Sequence, residues 1–172
     1  MARNVEIKAR VEDANVLEDQ VAMFADGDPT EIYQDDTFFK CDLGRLKLRT
    51  FPSGEGELIY YQRADESGPK ESFYRISKTQ EPDELREVLS LAYGTVGRVQ
   101  KKRMLYFLGR TRIHVDRVQT LGSFLELEVV LDEDESAENG IEEARSILSK
   151  LDVNEDQLIE GAYVDLLQTS DA

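Results

Sequence analysis

Polar and apolar residues alternate along most of this chain with a period of two, the signature of strands with one wet and one dry face. In "NVEIKARV", Asn4, Glu6, Lys8 and Arg10 share a face opposite Val5, Ile7, Ala9 and Val11. The same rhythm returns in "EIYQDDTFFKC", "GRLKLRTF", "GEGELIYYQRA", "ESFYRISKT", "GRVQKKRMLYFLG", "TRIHVDRVQTLG" and "SFLELEVVL", with glycine-bearing turns between several of them. Helical spacing interrupts it four times. "DANVLEDQVAMFA" places Val16, Leu17, Val21 and Phe24 on a helix that Asp13 can cap. "EPDELREVLSLAYG" opens on a proline and closes at Gly94. "SAENGIEEARSILSKLDV" is a third helix, and "NEDQLIEGAYVDLL" a short closing one. The pattern predicts one α+β domain over residues 1–172, mostly antiparallel.

The polar faces are charged rather than merely wet. "GRLKLRT" aligns Arg45, Lys47 and Arg49 in front of Leu46 and Leu48. "GRTRIHVDRV" aligns Arg110, Arg112, His114 and Asp116, and "FLELEVV" aligns Glu126 and Glu128. Lys101 and Arg103 share a face, as do Tyr61 and Arg63. A solvated outer face explains any one such strand. It explains the set poorly, because like charges spaced by two repel along a strand unless an anion compensates them. About eight strands, each with one apolar and one charged face, suggest a closed barrel with a charged lumen and helices packed on its apolar outside, roomy enough for one small ligand.

Composition narrows the class. The 172 residues carry a net charge of −15, which argues against nucleic acid as a partner. Residues 131–172 hold thirteen acids and two bases, and "DEDESAEN" there reads as solvated surface. No run approaches the roughly 18 apolar residues of a membrane span, and the start lacks a signal-like apolar run, so a cytoplasmic location without membrane contact is expected. The lone Cys41 excludes an internal disulfide and reads as a small half-buried hydrophobe.

Arginines and lysines converging in a dry lumen call for a dense anion, and phosphate oxygens match the guanidinium fork. Facing carboxylates suit a hard cation such as Mg2+ or Mn2+, whose remaining positions water and phosphate oxygens can fill. No GxxxxGK[ST] loop is present, so capture would be by side chains.

"VEIKARV", "GRLKLR", "KKRMLY", "TRIHVDRVQTLGSFLELEVV" and "LIEGAYVDLL" together resemble the CYTH superfamily, the triphosphate tunnel metalloenzymes, and within it the class IV adenylyl cyclase branch. The resemblance implies an eight-stranded antiparallel tunnel, Mg2+ or Mn2+, and ATP or inorganic triphosphate as substrate. It implies catalytic roles for Glu6, Lys8, Glu126 and Glu128, and triphosphate contacts from Lys8, Arg10, Lys47, Arg49, Arg63, Arg103 and Arg112, with Arg45 and Arg75 as further basic positions. Metal would fall to Glu6, Glu126 and Glu128, with Asp116 and Asn4 as additional contacts. The family's ExExK falls on Asn4, Glu6 and Lys8, so its first Glu is replaced here. His114 reads first as a structural hydrogen-bonding group, then as a phosphate contact or proton relay. Tyr60, Tyr61 and Tyr163 read as wall or rim packing. Cyclisation of ATP, hydrolysis of inorganic, thiamine or nucleoside triphosphate, and binding of nucleotide or polyphosphate without catalysis all remain open. Exposed barrel edges make a homodimer conceivable.

Overall fold

A computed structural model describes residues 2–63 and 68–170. Eight strands, β1 (Ala2–Val11), β2 (Thr30–Phe39), β3 (Arg45–Thr50), β4 (Gly56–Arg63), β5 (Lys70–Thr79), β6 (Thr95–Leu108), β7 (Thr111–Val118) and β8 (Gly122–Val130), close into an antiparallel barrel. Their order around it is β1-β5-β4-β3-β2-β6-β7-β8. Helices α1 (Ala14–Ala22), α2 (Pro82–Tyr93), α3 (Ala137–Lys150) and α4 (Tyr163–Ser170) complete the fold. The expected tunnel architecture is therefore present, and no described helix is long and apolar enough to cross a membrane.

The apolar faces point outward, as the alternation requires. Val5, Ile7 and Ala9 of β1 join Ile113, Val115, Leu125, Leu127 and Val129 under Leu17 and Val21 of α1 and Ala144, Ile147 and Leu148 of α3. Burying such side chains contributes about 1.5–3 kcal/mol each, so this helix-covered wall is the main hydrophobic core. Helix α3 lies so close to β1 that a Cβ at Gly140 would sit 2.7 Å from a Val5 methyl. Asp13 caps α1 as expected, accepting from the amides of Asn15 (2.9 Å) and Val16 (3.3 Å).

A second apolar cluster lies inside the barrel. Phe38, Val99, Val118 and Phe124 meet Ala162, Tyr163 and Val164, so the start of α4 seals one end of the lumen. The closing helix expected over "NEDQLIEGAYVDLL" does not run through. Asn154 caps a 3-10 turn (Glu155–Gln157), Leu158 bridges to Ala9, and Gly161 adopts a positive φ of 76° before α4 begins. That left-handed position breaks the helix and turns Tyr163 into the barrel.

The acidic section is less solvent-bound than its composition suggests. Glu135 and Glu143 both clamp Arg110, which sits in the β6–β7 turn outside the lumen rather than beside Arg112 and His114. Helix α2 is thinly attached: Pro82 alone is buried, while Val88 and Leu91 stand in solvent.

Candidate active site

The register delivers charged side chains from every strand but β5 to one cavity of about 380 Å³. Its walls differ in sign. On β2, β3 and β6, Asp36 is the hub of a cationic cluster. Arg49 donates to it through Nε and Nη2, both at 2.8 Å, with Lys47 at 3.4 Å and Lys101 at 3.8 Å. Burial alone would raise the Asp36 carboxyl, but Arg49, Lys47 and Lys101 outweigh it and hold it far below the usual carboxylate range. Burial, reinforced by Arg103, pushes the Lys101 ammonium well below its ordinary value. These cations crowd one another around a single carboxylate, and a further anion would relieve them.

Arg103 links the two walls. Its fork donates to both oxygens of Asp116 at 2.8 Å, and Nη2 lies 3.5 Å from Glu126. Asp116 is fully buried and also accepts from the Tyr163 hydroxyl at 2.8 Å. Engaged in this way, Asp116 orients Arg103, and it is not one of the three described residues whose ligand atoms cluster together. The Tyr163 ring lies 3.8 Å beneath the Lys8 ammonium and 5.1 Å from that of Lys101, so Tyr163 floors the site instead of packing in the wall.

The opposite wall is carboxylate-rich. Glu6 pairs in register with Glu128, Lys8 with Glu126, and His114 with Glu126. Lys8 Nζ is 3.4 Å from Glu126, and Arg112 Nε 3.3 Å from Glu128. His114 Nδ1 lies 3.3 Å from Glu126 and 4.0 Å from Glu128. Burial and Arg103 push the His114 imidazole down to about 4, so it is neutral near pH 7. Glu128 goes the other way: burial, then Glu126 and Glu6, push its carboxyl up to about 8. A carboxyl held protonated by its neighbours marks a place short of positive charge. Among the described residues, His114, Glu126 and Glu128 can offer ligand atoms within 4.8 Å of one another. Two hard carboxylates with Glu6 adjoining them fit a Mg2+ or Mn2+ ion.

Several sequence expectations land elsewhere. Arg10 shares the face of Lys8, but its cross-strand partner Phe124 fills the barrel there. The Arg10 guanidinium therefore lies over that ring at 4.8 Å, donates to the Leu121 carbonyl and stays exposed, outside the cavity. Arg45 is drawn to the sealed end, where both guanidinium NH2 groups donate to Asp165 of α4. Arg75 stands exposed between the lumen-lining Tyr74 and Ile76, on the outer face of β5. Arg63 is described only as a β4 position paired with Ser72; its side chain lies outside the described residues. Tyr61 lines the cavity, and Tyr60 does not. Sequence reasoning missed Asp36, Gln34, Glu57 and Ser72, and left Lys101 unassigned. The available signal for Asp36 was the three-base strand beside it, which needed a counter-charge.

A CYTH domain model matches residues 2–163. The chain belongs to the CYTH family. It is similar, at 26% identity over 94% of this chain and 97% of the other, to a Methanocaldococcus jannaschii protein whose name proposes an adenylate cyclase. A solved Pyrococcus horikoshii protein superposes with a TM-score of 0.84 at 22% identity, covering 95% of this chain and 98% of that one. A Hippeastrum protein, described as revealing a dominant triphosphatase activity, superposes at 0.66 with 12% identity over 94% and 91% of the two chains. These structural likenesses show the fold of this CYTH chain.

Proposed function

We propose that this CYTH protein is a divalent-metal-dependent enzyme acting on a triphosphate-bearing small molecule, with ATP cyclisation to cyclic AMP and pyrophosphate as the leading reaction. The observation that carries the reading is the opposition of the two walls across one cavity. Lys47, Arg49, Lys101 and Arg103 crowd around too little negative charge, while Glu128, beside Glu126 and Glu6, has too little positive charge near it to stay ionised. A triphosphate with a divalent cation answers both deficits at once.

In this reading Lys8, Lys47, Arg49, Lys101, Arg103 and Arg112 hold the phosphates, and Glu126, Glu128 and Glu6 hold Mg2+ or Mn2+. When bound, the ion would neutralise phosphate charge and polarise the reacting oxygens. The protein's own part is positioning and charge neutralisation. The ribose 3′-hydroxyl gives up its proton to solvent as its oxygen bonds to the α-phosphorus, the bond to the bridging oxygen breaks, and pyrophosphate departs with its negative charge spread over the basic wall. The name of the Methanocaldococcus relative favours this reaction. Hydrolysis is the second reading, favoured by the description of the Hippeastrum protein; there water attacks the terminal phosphorus, the bond to the bridging oxygen breaks, the diphosphate remainder leaves, and the attacked phosphorus becomes orthophosphate.

The test is a panel of ATP, GTP, thiamine triphosphate and inorganic triphosphate with Mg2+ and Mn2+, products resolved by type. Cyclic AMP with pyrophosphate supports the cyclase, and orthophosphate supports the hydrolase. Tight binding with no turnover of any substrate would leave a polyphosphate or nucleotide binder and refute the enzyme.

A further inference from the structure

The two charged walls leave one stretch of the cavity with neither charge nor partner. Asn4 of β1 and Ser72 of β5 are directly paired across the strands, and both line the cavity. Asn4 is 2% exposed and Ser72 1%. Neither Asn4 Oδ1 nor Ser72 Oγ has a hydrogen-bond partner among the described residues. Leaving a buried polar atom unsatisfied typically costs about 1–3 kcal/mol, so two such atoms on paired residues of the cavity wall mark a place that a bound group would complete by a small side-chain turn.

Their chemistry restricts what that is. The Asn4 side-chain oxygen only accepts, and the Ser72 hydroxyl both donates and accepts. Ionised inorganic triphosphate offers acceptor oxygens alone, so it cannot satisfy the orphaned Asn4 Oδ1. Phosphates are also drawn to β2, β3 and β6, away from the acids that flank Asn4. With no cation present on the Asn4 oxygen, what fits the pair is a neutral group carrying N–H or O–H donors. We infer that Asn4 and Ser72 form a neutral hydrogen-bonding subsite for the organic part of a triphosphate ester, its hydroxyl or amino groups, and thereby select an organic triphosphate over the inorganic one. This rests on the proposed placement of the phosphates on the basic wall.

The test is calorimetric binding in EDTA, where no ion can bridge ligand and protein and no turnover follows, using ATP and inorganic triphosphate as probes. One ordinary hydrogen bond contributes about 0.5–1.5 kcal/mol net, or roughly two- to tenfold in affinity. Asn4→Ala and Ser72→Ala should each weaken ATP by about that factor, the double variant by more than either, and inorganic triphosphate by less than twofold. Equal losses for the two ligands would overturn the inference and assign the pair to phosphate. No loss for either would overturn it in favour of ordered water alone. Thermal melts check folding, and Ser72→Ala, the smaller change, keeps the test available if Asn4→Ala folds poorly. Failure here is separable from failure of the proposed function: if wild-type protein binds neither probe with or without Mn2+, the triphosphate reading falls too, whereas binding that ignores both variants sinks the subsite alone.

Discussion

The basic wall and the acidic wall solve the same problem in opposite ways. On the basic wall, cations arrive with built-in counter-ions: Arg49 is forked onto Asp36, and Arg103 onto Asp116. On the acidic wall, Lys8 and Arg103 match Glu126, but Glu128, with Glu126 and Glu6 beside it, is under-compensated by Arg112 and holds its proton up to about 8. The first wall is rigidly pre-set, with side chains locked in place before any ligand arrives. The second is poised, its charge state waiting on a cation. Under the proposed function, the difference teaches that anion capture would be a property of the folded chain, whereas the acidic wall would reach full charge only with a metal bound.

The largest effect should come from breaking the pre-set wall. Arg103→Met removes the partner of a fully buried Asp116 and leaves that carboxylate uncompensated, which costs about 3–5 kcal/mol of stability. Urea denaturation should read that loss directly. Arg103→Lys should recover part of it, because the charge survives and the bidentate fork does not. A stable Arg103→Met protein would mean that Asp116 is not held as described.

Changes on the poised wall should spare the fold and remove function. Glu126→Gln or Glu128→Gln takes away a negative ligand from a hard-cation site, and turnover should fall by at least the ~10–100-fold seen when even indirect ligand support is lost. Glu133→Gln and Asp134→Asn, exposed in the acidic section, should leave turnover unchanged. Comparable losses from both pairs of variants, in steady-state assays with Mg2+ and Mn2+, would erase the distinction between the wall and the solvated acids.

Why so much of this was legible lies in the alternation. A lumen-facing residue must share parity with its neighbours two positions away, so Glu6 with Lys8, Lys47 with Arg49 and Glu126 with Glu128 came directly from the strands, and the apolar remainder located the helices outside. Parity does not say where the lumen stops. Arg10 has the right face and lies beyond the cavity, because Phe124 from another strand plugs the barrel at that level. Nor does parity help where a strand is mixed on both faces. In β2, Gln34 and Asp36 alternate with Tyr33, Asp35 and Thr37, and only the pairing of Asp36 with Arg49 reveals which acid is inside. Tyr163 was hidden for a third reason: it enters through the end of the barrel from α4, so no strand pattern governs it.

The poised state of Glu128 has a pH signature. Its carboxyl is raised above the ordinary 4.5, so the metal-free folded protein keeps a proton that the unfolded chain has released. Its contribution to stability is thus full below about 4.5 and is lost as pH rises toward about 8. His114 pulls the other way only below its ordinary 6.5, because its folded value is depressed to about 4. From pH 6.5 to 8 the Glu128 effect stands without it. Lys101, pushed well below its ordinary value, opposes Glu128 in that window, so the effect is read as a difference: the thermal midpoint of the metal-free wild type should fall relative to that of Glu128→Gln as pH rises. Mn2+ binding near pH 7 should release a proton, read as a calorimetric heat that varies with buffer ionisation enthalpy. A constant difference between the two profiles would show that Glu128 is already charged.

The smallest effect, and the sharpest comparison, sits at Asn4. Restoring the family's glutamate there adds a full negative charge beside Glu6 and across the barrel from the basic wall. A charge near a divalent ion in a low-dielectric lumen outweighs an amide dipole, so Asn4→Glu should tighten Mn2+. It should also weaken metal-free inorganic triphosphate slightly, because like charges are brought together. The two signs must be opposite, each a few-fold, in titrations run with and without Mn2+. If metal affinity falls instead, the Asn4 amide is doing something a carboxylate cannot, as a neutral subsite for an organic group would require once that group is present. If neither affinity changes, position 4 is remote from both ion and phosphates, and the cavity's neutral stretch has no electrical connection to the walls that flank it.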